Sequence, residues 1–179
     1  SLVEKEAKPY MTNIEISTEN LEANEIIKDR AKFLIEYQSK AYSEKYLKLL
    51  EKSKQKLKKL NIENDELLKA IAKYFFKLMA YKDEYEVARL YTNGEFDKNL
   101  NKAFEGKLKL KFHIAPPLFA PRDPDTGKLK KITVGSWILP IFRILSKFKF
   151  LRSTTFDPFG KTQERKAERF MISQYASDI

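Results

Sequence analysis

Asp65-Glu-Leu-Leu-Lys-Ala-Ile-Ala-Lys-Tyr-Phe-Phe-Lys-Leu-Met-Ala-Tyr-Lys-Asp-Glu-Tyr-Glu-Val-Ala-Arg-Leu-Tyr91 decides the fold class. The stretch contains neither glycine nor proline. Its apolar residues Leu67, Leu68, Ile71, Tyr74, Phe75, Leu78 and Met79 cover much of a helical circumference. A helix apolar on most sides needs neighbours all round it, so residues 65–91 predict the central, most buried helix. Thr92-Asn-Gly94 ends it, with glycine at the left-handed position that commonly follows a helix. A short helix from Phe96 to Phe104 closes at Gly106 for the same reason.

Working outward, no proline lies between Pro9 and Pro116, and the first glycine is Gly94, so the N-terminal half reads as helical. Ser17, Thr18 or Asn20 caps a first helix whose stripe is Leu21, Ile26, Ile27, Phe33, Leu34, Tyr37, Ala41, Tyr42 and Tyr46. That helix either continues through Leu49, Leu50, Leu57 and Leu60 or breaks near Ser43, and Asn61-Ile-Glu-Asn64 separates it from the central one. Residues 1–20 lack a period and read as a loose arm, leaving residues 21–179 as a single domain.

After Gly106 the period changes. Lys107-Leu-Lys-Leu-Lys-Phe-His-Ile114 alternates, with Leu108, Leu110, Phe112 and Ile114 on one face and three lysines and His113 on the other. This is the pattern of a half-buried strand. Pro116-Pro117 ends it, Pro124-Asp-Thr-Gly127 turns, and Lys130-Lys-Ile-Thr-Val134 returns, giving a hairpin over about 107–135. Two strands alone are marginal, so the hairpin must pack on helices or on another protein. A helix over Trp137 to Lys149 tolerates Pro140 in its first turn, and a last helix from Thr162 to Tyr175 turns Phe170, Met171 and Tyr175 inward. The expected architecture is mainly α with a small β-hairpin (α+β): a helical bundle packed against a two-stranded antiparallel arm.

With 179 residues, 34% charged and 42% apolar, the chain is long enough for a sizeable core and too apolar for a disordered one. The absence of cysteine excludes thiolate-bound zinc, an iron–sulfur cluster held by this chain alone, disulfides and a cysteine nucleophile. No run of about 18 apolar residues suggests a membrane span, and no apolar signal core opens the chain, so a cytoplasmic protein is expected. The start at Ser1 rather than Met suggests an excised domain or a trimmed chain. The net charge of +10 favours acidic partners, although lysine interleaved with glutamate also simply solvates helix faces.

Candidate chemistry is thin. The five glycines are scattered, so no phosphate cradle forms; Arg122 and Leu129 break any P-loop ending in Gly127-Lys128. Asp123, Asp125 and Gly127 resemble a calcium loop with its glycine one place early and Val134 where the closing glutamate belongs, which leaves a turn. His113 is the only histidine, placed on the polar face of a strand, where a structural role is the ordinary one. Asp83, Glu84 and Glu86 lie beside Lys82 and Arg89; the pattern suits acid–base work but better suits an ion-pair net that fastens the helix end against the hairpin. Trp137-Ile-Leu-Pro-Ile-Phe-Arg-Ile-Leu-Ser-Lys-Phe-Lys-Phe-Leu-Arg152 is apolar and basic. Its residues Ile141, Ile144, Leu145 and Phe148 fit a core or subunit interface better than a helix lying on an anionic membrane.

Several phrases are less generic. Tyr81 to Tyr91, Phe104-Glu-Gly106, Leu110-Lys-Phe-His-Ile-Ala-Pro-Pro-Leu118, Arg122-Asp-Pro124, Thr126-Gly127, Trp137-Ile-Leu-Pro140, Phe142-Arg-Ile-Leu145, Phe156-Asp-Pro-Phe-Gly160, Glu164-Arg165 and Glu168-Arg169 occur in this order. Together with Arg30 to Tyr42 and Tyr46, they resemble the C-terminal region of the fused indolepyruvate:ferredoxin oxidoreductases over about Ile26 to Met171. Such 2-oxoacid:ferredoxin oxidoreductases oxidatively decarboxylate aryl 2-oxoacids with thiamine diphosphate, Mg²⁺ and iron–sulfur clusters. The resembling region lies outside the thiamine-binding domains, and this chain has no Gly-Asp-Gly motif and no cysteine, so the resemblance implies that it binds none of these cofactors and is not catalytic alone. It implies a non-catalytic accessory or assembly domain. Its contact region would comprise Tyr81, Asp83, Glu84, Arg89 and Tyr91, the corner at His113, Pro116 and Pro117, Trp137, and Asp157, Pro158 and Gly160. The partners would be the enzyme's other domains or subunits, with ferredoxin, an acidic protein, drawn in by Lys107, Lys109 and Lys111. The competing reading is a stand-alone basic module for an acidic partner, nucleic acid and anionic membrane ranking below the enzyme's own domains.

Overall fold

The computed structural model describes residues 22–62, 64–106, 108–115, 120–121, 123–127 and 129–179. The expected N-terminal arm, the caps at Ser17, Thr18 and Asn20, and Pro116 and Pro117 lie outside them. Helices α1 (Ala23–Tyr37), α2 (Lys40–Lys59), α3 (Asp65–Met79), α4 (Glu84–Thr92) and α5 (Glu95–Ala103) precede strands β1 (Lys111–Ile114) and β2 (Ile132–Gly135). Then come α6 (Ile138–Lys147), a 3₁₀ turn over Phe148–Leu151, and α7 (Gln163–Asp178). The fold is mainly α with one two-stranded antiparallel hairpin.

The chain forms two compact units, one comprising residues 83–149 and the other residues 22–82 together with 150–179. In the latter, α1, α2, α3 and α7 enclose Ile26, Leu34, Tyr37, Tyr46, Leu50, Ala72, Phe75, Phe76 and Met79. Its buried hydroxyls end on backbone carbonyls that helices cannot use internally or can share. Tyr37 donates to Tyr81 O at 2.8 Å, Tyr46 to Ala72 O at 3.1 Å and Ser43 to Ala31 O at 2.7 Å. Each is a satisfied polar group inside an apolar layer, which fixes the register of one helix against another.

The first helical run does break, but at Gln38–Ser39 rather than near Ser43. Ser39 is extended and accepts from Tyr42 N, giving α2 its cap. Ser43 instead sits inside α2 and ties it to α1. The expected continuous helix over 65–91 is also two helices. Met79 ends α3, Tyr81 and Lys82 cross over, and extended Asp83 accepts from Glu86 N at 2.8 Å to start α4. No glycine or proline marks this break. Its signal is the aspartate followed three residues later by glutamate, the spacing of an N-terminal capping motif.

In the unit of residues 83–149, β1 and β2 pair in the register Phe112 with Val134 and His113 with Thr133. The alternation holds where it is paired: Phe112 is buried while Lys111 and His113 are exposed. The strand begins at Lys111, however, and Leu108 is exposed. One cluster joins the hairpin to α4, α5 and α6: Ala88, Phe96, Leu100, Phe112, Ile138 and Phe142, with Tyr91, Leu110, Ile114, Val134 and Leu145 packed against it. Gly94 and Gly106 take the left-handed conformation expected of them.

One inward face is corrected. Phe170 and Met171 on α7 face solvent, and only Tyr175 turns in, stacking on Phe75 with ring centroids 5.7 Å apart. On α6 the inward residues are Ile138 and Phe142, helped by Leu139 and Leu145, while Ile141 and Ile144, and Phe148 at the start of the 3₁₀ turn, are exposed.

Candidate functional site

The residues singled out by chemistry are mostly consumed in holding their own backbone. In α4, Asp83 and Glu86 are both buried carboxylates. Asp83 is the helix cap, and Glu86 receives a two-pronged pair from Arg89, Nε to Oε2 at 2.9 Å and Nη2 to Oε1 at 2.8 Å. That planar fork matches carboxylate geometry and accounts for a carboxylate without solvent. Glu84 is half-buried on the same turn. The expected ion pair thus exists within α4 itself.

Tyr91 lies in the aromatic cluster, edge-on to Phe96 and Phe112 at 4.9 and 5.0 Å and stacked on Phe142 at 5.7 Å. Burial pushes its phenol above the ordinary value. His113 stands on the exposed face of β1, its Nδ1 2.9 Å from the Thr133 hydroxyl across the ladder. Lys109 and Lys111 are exposed, and Lys107 lies outside the described residues. Asp123 accepts from the amides of Asp125 and Thr126 and from the Thr126 hydroxyl. These donors hold its carboxyl below the usual range and close a turn completed by left-handed Gly127.

In the other unit, Tyr81 is buried beneath the Arg165 guanidinium, 5.4 Å from ring centroid to carbon, and Arg165 also donates to Lys82 O at 3.1 Å. Asp157 is buried and folds the 153–160 loop around itself, Oδ2 accepting from Ser153 N at 3.0 Å and Oδ1 from Phe159 N at 3.1 Å. Ser153 is held at a φ of 66°, a left-handed conformation that serine rarely adopts. Gly160 packs on Asp157 so closely that a Cβ there would come within 2.5 Å of Oδ2, and Arg169 donates to Gly160 O at 2.7 Å. Pro158 is exposed. Asp157, Gly160 and Arg169 are therefore brought together, as are Tyr81 and Arg165.

Sequence reasoning missed Arg152. Only 2% exposed, it places its guanidinium carbon over the Tyr37 ring. Its one advance signal is a guanidinium ending an apolar run with no acidic residue near it in sequence. Among the described residues, no group of three or more His, Cys, Asp or Glu is arranged to hold a metal, and no helix is long and apolar enough to cross a membrane.

Large apolar side chains also face outward. Trp137 is 63% exposed, Ile141 48%, Ile144 60% and Phe148 42%, four large side chains along one side of α6 and the residues that flank it, while the other side of α6 builds the aromatic core. Exposed large apolar residues scattered singly are ordinary, whereas a contiguous row marks a contact surface.

The chain belongs to the family described as a family of unknown function, DUF6537, whose model matches residues 23–179. No curated protein and no solved structure matches it.

Proposed function

We propose that this DUF6537 member is a non-catalytic accessory or assembly domain of an indolepyruvate-type 2-oxoacid:ferredoxin oxidoreductase. Two things support the reading. The phrases that resemble that enzyme's C-terminal region supply caps, clamps and core rings: Asp83, Arg89, Tyr91, Asp157 and Gly160 all serve the backbone or packing around them. The observation that carries it is the outward apolar row on α6, a surface suited to being covered. Thiamine diphosphate, Mg²⁺ and iron–sulfur clusters would belong to the remainder of the enzyme. This domain would hold other domains in place, with ferredoxin reached through the assembled whole.

The test is co-expression with the thiamine-binding polypeptide of such an enzyme. Co-elution that is lost in Ile144→Glu, at unchanged thermal stability, is the expected result. Separate elution of the two wild-type chains would sink the proposal.

One observation favours the basic-module reading. Lys45, Lys48, Lys52, Lys56 and Lys59 recur every three or four residues along α2 and are all exposed. Lys56 among them donates to the Ile179 carbonyl at 2.9 Å. Retention of duplex DNA that falls steeply with salt, and that is lost on replacing three of these lysines by glutamate, would favour this second reading.

A further inference from the structure

We propose that the exposed row on α6 docks an α-helix of the partner, one that carries apolar residues at alternating three- and four-residue spacing and carboxylates along one flank. This rests on the reading of α6 as a docking face.

The spacing from Trp137 to Ile141, Ile144 and Phe148 is four, three, four. At about 100° per residue these four positions fall within an arc of about 60°, and at about 1.5 Å per residue they extend about 17 Å. The Trp137 backbone is already helical, with φ −58° and ψ −17°, so it stays in phase with the helix. A narrow seam with this alternation is what one helix presents to another when side chains interlock. A helix resting on a bilayer shows a broader apolar arc, flanked by cations on both sides.

The two flanks of the seam differ. On one side Ile138, Phe142 and Leu145 pack into the domain's own cluster. On the other stand exposed Arg143 and Lys147, and α6 contains no carboxylate. A partner helix therefore meets a cationic flank on one side only, and carboxylates there complement it. A second copy of α6 in a two-fold antiparallel pairing would bring Arg143 and Lys147 against their own counterparts, which disfavours self-association.

Trp137 is the only tryptophan in the chain, so its emission reports this face directly. The experiment titrates the full chain with two synthetic helical peptides that share leucines at three-four spacing, one bearing glutamates on the flank and one bearing lysines. The glutamate peptide should shift Trp137 emission to the blue and bind about tenfold or more tightly than the lysine peptide. Ile144→Glu and, separately, Ile141→Ser should abolish the shift while leaving the urea midpoint unchanged. No shift with either peptide, or equal affinity for both, would overturn the proposal. So would a blue shift produced by phosphatidylserine vesicles or by raising protein concentration alone. If the glutamate peptide binds but the thiamine-binding polypeptide does not co-elute, only the oxidoreductase assignment fails. Co-elution without peptide binding removes the helix partner alone.

Discussion

The guanidinium carbon of Arg152 lies 3.7 Å from the centre of the Tyr37 ring, and its Nη1 donates to the Tyr37 carbonyl oxygen at 2.6 Å. One residue thus uses both faces of its chemistry on one partner, 115 positions away in the chain. It anchors the segment after α6 to the end of α1, within the unit of residues 22–82 and 150–179. The carbonyl sits at a helix end, where no intrahelical donor reaches it.

Arg152→Ala should destabilise this unit by about 3 kcal/mol, combining a desolvated cation–ring contact with a charge-assisted hydrogen bond. Arg152→Lys should recover less than half of that, since a compact ammonium cannot lie flat on the ring and reach the carbonyl together. Urea denaturation midpoints of the three proteins provide the check, and equal midpoints for lysine and arginine would refute the stacking account.

Gly160→Ala should cost about 1–3 kcal/mol, because the new methyl meets a carboxylate that is buried and already bonded on both oxygens. The clash requires Asp157. In the double mutant with Asp157→Ala the added cost of the methyl should largely vanish, a non-additivity measurable as a thermodynamic cycle. Additive effects would mean that the clash is not the cause.

Asp83→Ala should remove about 1 kcal/mol through loss of the α4 cap, and Asp83→Asn or Asp83→Ser should restore most of it, since either supplies an oxygen for Glu86 N. Amide exchange at Glu86 is the direct readout. Protection there that survives the alanine change would show that the cap is dispensable.

Burial pushes the Tyr46 phenol well above its ordinary value of 10.0, with the Arg30 charge opposing. Burial raises Tyr91 and Tyr175 as well. In each case the folded state holds the proton to higher pH than the unfolded chain. The associated stability is full below about pH 10 and is lost as pH rises beyond it. Tyr46→Phe should cost about 1 kcal/mol at neutral pH through the hydrogen bond to Ala72 O, and should flatten the alkaline decline. An alkaline limb as steep in the phenylalanine variant as in the wild type would show that Tyr46 is not its source.

Much of the local structure was legible from residue order. The alternation around Phe112, the turn at Asp123 to Gly127, and the stops at Gly94 and Gly106 all hold. The break at Tyr81 to Asp83 was hidden because nothing there forbids a helix. It is stabilised by the Asp83 cap and by Tyr81 O receiving the Tyr37 hydroxyl. Of the residues singled out for contact, Trp137 is exposed, while Asp83, Arg89, Tyr91, Asp157 and Gly160 face into their own units.

Turns, caps and strand faces follow from conformational preferences of residues a few positions apart, so the chain announces them. The outward seam of α6 and the seat of Arg152 are of another kind. Helix α6 is apolar on two arcs, and periodicity treats them alike; the presence of Phe96, Phe112 and Tyr91 against one arc buries it, while the other stays exposed. Arg152 is buried, and folding carries to it the Tyr37 ring and carbonyl from 115 positions away. Local preference cannot specify a contact whose energy exists only after distant segments meet.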